Sequence, residues 1–101
     1  MRQRRVQFTA TAREQIKREK LWWLENRIQT EVFATEFEDA LRILAVLPGA
    51  GTSYPHSNVA GLRRIYLRKV ACHIYYTFDE QEVIVRALWG ARRSHGPSVE
   101  R

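Results

Sequence analysis

Residues 61–97 constrain the fold more than any other stretch of the chain: GLRRIYLRKVACHIYYTFDEQEVIVRALWGARRSHGP. Three runs rich in β-branched and aromatic residues follow one another, with a polar break at Asp79-Glu80-Gln81-Glu82. Apolar and polar residues alternate in much of it, the period of a half-buried strand. One set comprises Ile65 and Leu67, then Cys72, Ile74, Tyr76 and Phe78, then Val83, Val85, Ala87 and Trp89. The other comprises Arg64, Tyr66 and Arg68, then His73, Tyr75 and Thr77, then Ile84, Arg86 and Leu88. On a pleated sheet the first set faces a core, and the second lays guanidinium, phenol and imidazole groups on the opposite surface. The short links between the runs make the three strands an antiparallel meander.

Upstream the pattern changes. Residues 4–9 form a strand candidate with Val6 and Phe8 inward and Arg5 and Gln7 outward. Thr11 and Glu14 have capping-box spacing, so a helix should begin near Ala12. Ala12, Ile16, Trp23 and Ile28 give it an apolar stripe that Lys20 interrupts, and the adjacent Trp22 and Trp23 cannot both lie on that stripe. A second helix is expected from Phe33, Phe37, Ala40, Leu41, Leu44 and Leu47, with Thr30 as its cap and Pro48-Gly49 as its stop. The short link over residues 25–29 makes the pair an antiparallel helical hairpin. Residues 49–61 are a Gly-, Ser- and Pro-rich loop carrying Tyr54 and His56.

The expected fold is therefore α+β in the order β-α-α-β-β-β, a helical hairpin packed on one face of a small, mainly antiparallel sheet. Residues 1–97 form one domain and residues 98–101 a frayed tail. Phe33, Phe37, Leu41 and Leu44 should meet Ile74, Tyr76, Val83 and Val85 in the core.

Charge narrows the partners. The 101 residues hold 17 Lys and Arg against 11 acidic residues, a net charge of +6, with a pI near 10.1. Such a chain favours polyanions: nucleic acid, an acidic protein or anionic lipid. Lys17, Lys20 and Lys69 are the only lysines, and the Arg excess suits bidentate recognition of phosphate or carboxylate. The single cysteine, Cys72, excludes an intrachain disulfide and falls on the apolar face, as a small core residue does. A cytoplasmic location fits. No apolar run of spanning length occurs, and the basic N-terminus lacks the apolar segment of a signal peptide, so no membrane partner is expected.

There is no Gly-rich phosphate loop, GxSxG elbow, HExxH helix or CxxC pair. His56, His73 and His95 lack ligand-like spacing, so neither a metal nor another cofactor is expected. Glu38 and Asp39 fall on the solvated side of the second helix. The chemistry-bearing residues are those of the basic sheet face. They can simply be a wet face whose Arg stems lie over apolar neighbours. They can also form a polyanion site, with Arg on phosphate, Tyr stacked on a base, and His73 or His95 moving protons near neutral pH.

Three segments together carry a resemblance: Gly61-Leu62-Arg63-Arg64, Ile74-Tyr75-Tyr76, and residues 82–93 (EVIVRALWGARR). They resemble the C-terminal half of RelE/ParE superfamily toxins. Val6-Gln7-Phe8-Thr9 followed by Ala12-Arg13-Glu14 resembles the family's first strand and helix opening, so the likeness spans residues 4–93. It implies a small bacterial toxin encoded beside an antitoxin, and promoter DNA bound only through the antitoxin complex. It also implies one of two targets. ParE-like members poison DNA gyrase, and the long hairpin and the LWGARR ending resemble that branch. RelE-like members cleave mRNA in the ribosomal A site. For that activity the resemblance implies Arg64, Arg68 and Arg92 on phosphate, with His73 or His95 transferring protons. Against it, Tyr66 and His73 stand where the family has basic residues, and nothing aromatic follows Trp89. For contact with gyrase or antitoxin the expected residues are Arg64, Tyr66, Arg86, Trp89, Arg92 and Arg93.

Overall fold

A computed structural model describes residues 3–26, 29, 31–55 and 57–90. β1 (Arg5–Phe8) leads into α1 (Ala10–Asn26) and α2 (Glu31–Val46). A 3-10 turn (Pro48–Ala50) and a two-residue strand β2 (Thr52–Ser53) follow, then β3 (Arg63–Leu67), β4 (Cys72–Phe78) and β5 (Glu82–Gly90). The sheet order is β1-β5-β4-β3-β2. β2 to β5 pair antiparallel, and β1 alone lies parallel, against β5. The helices supply the long crossover that a parallel pairing requires. The architecture is thus the expected α+β fold with one addition, β2, inside what the sequence presents as a loop. Thr52 and Ser53 are held opposite Arg64 and Arg63 by the edge of β3.

Thr9, not Thr11, caps α1. Its N–H is the last tied to the sheet, at 3.0 Å from the Val85 carbonyl. Its Oγ1 accepts the Ala12 N–H at 3.1 Å, so the helix opens two residues earlier than expected. Ala12, Ile16 and Trp23 are buried as their phase requires, and Trp22 is half-buried, edge-on to Trp23 at 5.7 Å. The stripe is completed by Glu19, 2% exposed, whose Oε2 accepts Trp23 Nε1–H at 3.1 Å; Lys20 points to solvent. A charged residue can occupy a core position when its oxygens are hydrogen-bonded. The expected contributions of Ile28 and Thr30 lie outside the described residues.

In α2, Phe33, Phe37, Ala40, Leu44 and Ala45 are buried and Leu41 is half-buried. Leu47 departs from its expected place: α2 ends at Val46, the helical phase ends with it, and Leu47 is 56% exposed. Glu38 and Asp39 are exposed, and Asp39 pairs with Arg42 one turn on. Phe33, Phe37 and Leu44 share one core with Ile74, Tyr76, Val83 and Val85. At about 1.5–3 kcal/mol per fully buried large side chain, this contact dominates the stabilisation.

The sheet alternation holds until β5 meets a bulge. Tyr76 is opposite Val85 but Tyr75 is opposite Ala87, leaving Arg86 as the extra residue. A bulge reverses the facing of everything beyond it. Leu88 therefore enters the core at 4% exposure, whereas Ala87 and Trp89 turn to the opposite face with Leu62 and Tyr75. These three assignments reverse those expected from simple alternation. Phe78, at the end of β4, is 40% exposed and not buried; the Arg4 guanidinium lies 5.8 Å from its ring centre. Cys72 is buried, and its Sγ–H donates to the Val70 carbonyl at 3.4 Å.

Candidate functional site on the open sheet face

The face away from the helices is not uniformly wet. The chain after β2 folds back over it, and Tyr54 and Val59 pack on a small second core of Leu62, Tyr75 and Ala87. Tyr75 is only 3% exposed. This placement depends on the 3-10 turn, which Tyr76 anchors from the core side: its hydroxyl donates to the Pro48 carbonyl at 2.5 Å and accepts the Gly51 N–H at 3.0 Å. Arg63 clasps the same turn, donating to the Gly51 and Gly49 carbonyls at 2.5 and 3.2 Å. A Cβ at Gly51 would lie 2.5 Å from both the Arg64 carbonyl oxygen and the Tyr76 hydroxyl, so only glycine permits the approach.

Two cross-strand rows build the site. In the first, Arg64 of β3 stands opposite Tyr75 of β4. Its Nη1 donates to the Tyr75 hydroxyl at 3.4 Å, and its Cζ lies 4.8 Å from the Tyr54 ring centre. Tyr54 meets Tyr75 edge-on at 5.1 Å. In the second row, Tyr66, His73 and Trp89 are successive partners across β3, β4 and β5. The Tyr66 and His73 rings are 4.8 Å apart and the His73 and Tyr75 rings 5.9 Å apart. Tyr66 is 46% exposed, while His73 and Trp89 are half-buried. Burial, and then the nearby Arg64 charge, hold the His73 pKa below the ordinary 6.5. The imidazole is therefore neutral at neutral pH, with one nitrogen able to accept a proton or hydrogen bond.

Arg64, Tyr66, His73 and Trp89 thus come together as the sequence residues expected of a site. Trp89 joins them only because of the bulge. Arg86 is that bulge residue: its Nε donates to Thr77 Oγ1 at 2.8 Å and its carbonyl accepts Thr9 Oγ1–H at 3.3 Å. Its guanidinium stem braces β4 against β5 along the same face.

Arg68 departs from expectation. β3 ends at Leu67, and Arg68 is exposed in the following turn, outside both rows. The turn forms there because Val70 is buried, Ala71 takes a left-handed φ of 53°, and the Glu36 carboxylate accepts the Lys69 and Val70 N–H groups, each at 3.2 Å. Arg92, Arg93 and His95 lie outside the described residues. Tyr54 is the site residue that sequence reasoning missed as a contributor. The signal available was a tyrosine flanked by small and turn-forming residues, spaced to follow an edge strand.

One guanidinium, one neutral imidazole and an exposed phenol on a rigid aromatic floor can dock another protein's polar side chains. They can also hold an anion beside a stacked ring.

No protein-family model matches the chain, and no curated protein matches it in sequence. Solved structures do. A chain from the chromosomal ParDE toxin–antitoxin system of P. aeruginosa superimposes with a TM-score of 0.69 at 12% identity, covering 87% of this chain and 96% of that one. One from the RelBE2 toxin–antitoxin complex of Mycobacterium tuberculosis gives 0.64 at 19% identity, covering 92% and 97%. One from the E. coli DinJ-YafQ toxin–antitoxin complex gives 0.61 at 12% identity, covering 93% and 99%. At these identities the likeness is one of fold, and the fold is that of RelE/ParE-like toxins.

Proposed function

We propose that this chain, carrying the RelE/ParE-like fold, is the toxin of a type II toxin–antitoxin module. On this reading it arrests growth by binding DNA gyrase in the cytoplasm and is neutralised by a cognate antitoxin. The observation that carries the protein-contact mechanism is the mutual engagement of Arg64 and Tyr75. The guanidinium donates one N–H to the phenol and lies over Tyr54, which fixes its position beside the exposed row and leaves its other donors for a partner. What faces outward beside them is the Tyr66–His73–Trp89 row. Tyr, Trp and Arg on a rigid surface are the composition of a protein–protein hot spot. The P. aeruginosa neighbour comes from a ParDE system, which agrees with the same reading. Arg64, Tyr66, Trp89 and the tail residues Arg92 and Arg93 are the proposed contacts, with Arg86 bracing the strands beneath them.

A second reading, ribosome-dependent mRNA cleavage, is favoured by the placement of His73, half-buried between the Tyr66 and Tyr75 rings with its pKa held below the ordinary value by burial and by Arg64. A general base for the 2′-hydroxyl must be unprotonated at working pH. In that reading Arg64 and Arg92 hold phosphate, with Arg68 reaching in from its turn, and His73 or His95 moves the proton.

Induced expression in bacteria tests the common part. Wild type should arrest growth. Arg92→Ala should relieve the arrest while a thermal melt within a few degrees of wild type confirms that the variant is folded. Full arrest by the folded variant would remove Arg92 from the contact set.

A further inference from the structure

A second surface lies where β1 passes into α1. Thr9 caps the helix, so Phe8 stands just before the cap and Arg13 at the fourth helical position. Those are the two positions that a hydrophobic staple joins, with an apolar residue at each covering the other. An arginine at the second leaves the Phe8 ring open on that side. The result is a cleft of about 520 Å³ lined by Phe8, Arg13, Ile16, Lys17, Lys20 and Phe37. Its size is that of a small-molecule site. Ile16 and Phe37 are buried and Phe8 is half-buried, and the Phe8 and Phe37 ring centres are 6.5 Å apart. These three form an apolar floor.

The wall is cationic. Arg13, Lys17 and Lys20 are all exposed, at i, i+4 and i+7 of α1. Helical geometry sets them within an arc of about 60° and a length of about 10 Å. Their stems line the cleft while their charged heads stay at its rim. Among the described residues the ion pairs are Arg18 with Glu14 and Arg42 with Asp39, so none of the three has a carboxylate partner. No acidic side chain lines the cleft. The lining thus offers hydrocarbon and hydrogen-bond donors, but no side-chain acceptor. A peptide or a nucleobase brings N–H groups that need acceptors once they leave water. A hydrocarbon chain with a carboxylate head brings none.

We propose that this cleft binds a long-chain carboxylate, with its head held at the rim by Arg13, Lys17 and Lys20 and its tail laid over Phe8, Ile16 and Phe37. The tail leaves water against the apolar floor, and the head accepts charge-assisted hydrogen bonds, so each half of the ligand meets its complement. The site is separate from the open sheet face. Phe8, Ile16 and Phe37 belong to the core between helices and sheet, whereas Tyr75 and Trp89 pack on the other side. The proposal goes beyond the toxin reading and stands whether the open face contacts gyrase or RNA.

The test is calorimetric titration of the full chain with dodecanoate, kept below its micellar range. A single molecule should bind per chain, with a dissociation constant below about 1 mM, the affinity that ordinary ligand efficiency gives a molecule of its size. In NMR spectra its tail should show contacts to the Ile16 methyls and the Phe8 ring. Octanoate should bind at least about tenfold more weakly, since each methylene taken out of an apolar site costs up to about fourfold. The Lys17→Glu/Lys20→Glu double variant, both sites exposed, should also lose at least about tenfold while its melt confirms the fold. Lys17→Gln/Lys20→Gln replaces it if the melt fails. Arg42→Glu, exposed on α2 outside the cleft, should stay within about twofold of wild type. Absence of saturation up to about 1 mM would overturn the proposal. So would equal affinity for dodecyltrimethylammonium, contacts confined to another surface, or an equal loss in Arg42→Glu. An acidic amphipathic peptide that saturates where dodecanoate does not would overturn it in favour of a protein partner. Because the assay involves neither growth arrest nor supercoiling, its failure leaves the toxin reading untouched.

Discussion

Replacing Tyr76 by Phe removes one oxygen from a completely buried ring. That oxygen donates to the Pro48 carbonyl at 2.5 Å and accepts the Gly51 N–H at 3.0 Å. Each bond contributes about 1 kcal/mol net, and a buried N–H left without an acceptor adds about another 1 kcal/mol of penalty. Tyr76→Phe should therefore destabilise by about 3 kcal/mol, although the ring itself still fills its place. For a domain of this size that is a fall in Tm of roughly 12–24 °C. In urea it is a midpoint shift of about 2 M at a slope near 1.5 kcal/mol per M. The effect should be local as well as global. The 3-10 turn begins the chain segment that lays Tyr54 over Arg64, so the Gly51 amide should lose its hydrogen-exchange protection before the core amides do. A loss below about 1 kcal/mol, with Gly51 still protected, would show that the hydroxyl is not the anchor of this turn.

Other perturbations probe separate links. Phe37→Ala should cost about 3–5 kcal/mol in a denaturant melt, because Phe37 is 5% exposed and stacked on Phe33 at 5.4 Å. Thr9→Ala should cost about 1 kcal/mol and Thr11→Ala distinctly less, since Thr9 provides the cap; equal losses would reverse that assignment. Stability should also fall on acidification through two groups. The His73 pKa is depressed in the fold, so the unfolded chain binds more protons. Stability therefore drops as pH falls from the ordinary 6.5 toward the folded value. His73→Phe, which keeps a ring between Tyr66 and Tyr75, should flatten that part of the profile. Asp79, lowered mainly by the Gln81 and Glu82 N–H groups, acts in the same direction at more acidic pH. Its contribution is present above the unfolded carboxylate value and lost as pH falls through the folded one.

The parts of the fold that sequence periodicity reached were those set by burial over several residues. Phe33, Phe37, Ala40 and Leu44 recur at helical spacing, and Ile74, Tyr76, Val83 and Val85 at strand spacing, so one core was legible before any coordinates. The errors fall where a single residue changes the phase. The bulge at Arg86 has no sequence mark, yet it exchanges Leu88 for Ala87 and Trp89 between faces. Both Thr9 and Thr11 can cap a helix, and a long-range bond from Thr9 to Val85 decides between them. Glu19 looks like a surface residue until Trp23 Nε1 reaches it. For the site, Arg64, Tyr66 and His73 follow from alternation alone. Arg68 does not, because Val70 and Glu36 end the strand ahead of it. Tyr54 arrives through a loop whose path depends on the Tyr76 hydroxyl and the Arg63 clasp.

The measurement that tests the central claim most directly is supercoiling by purified gyrase with this chain added, run beside a reconstituted translation reaction whose mRNA ends are mapped. Blocked supercoiling with intact mRNA is the predicted result, with inhibition weakened in Tyr66→Ala and Trp89→Ala. Normal supercoiling together with codon-phased mRNA cuts would contradict the gyrase mechanism and make His73 a catalytic base on the same face.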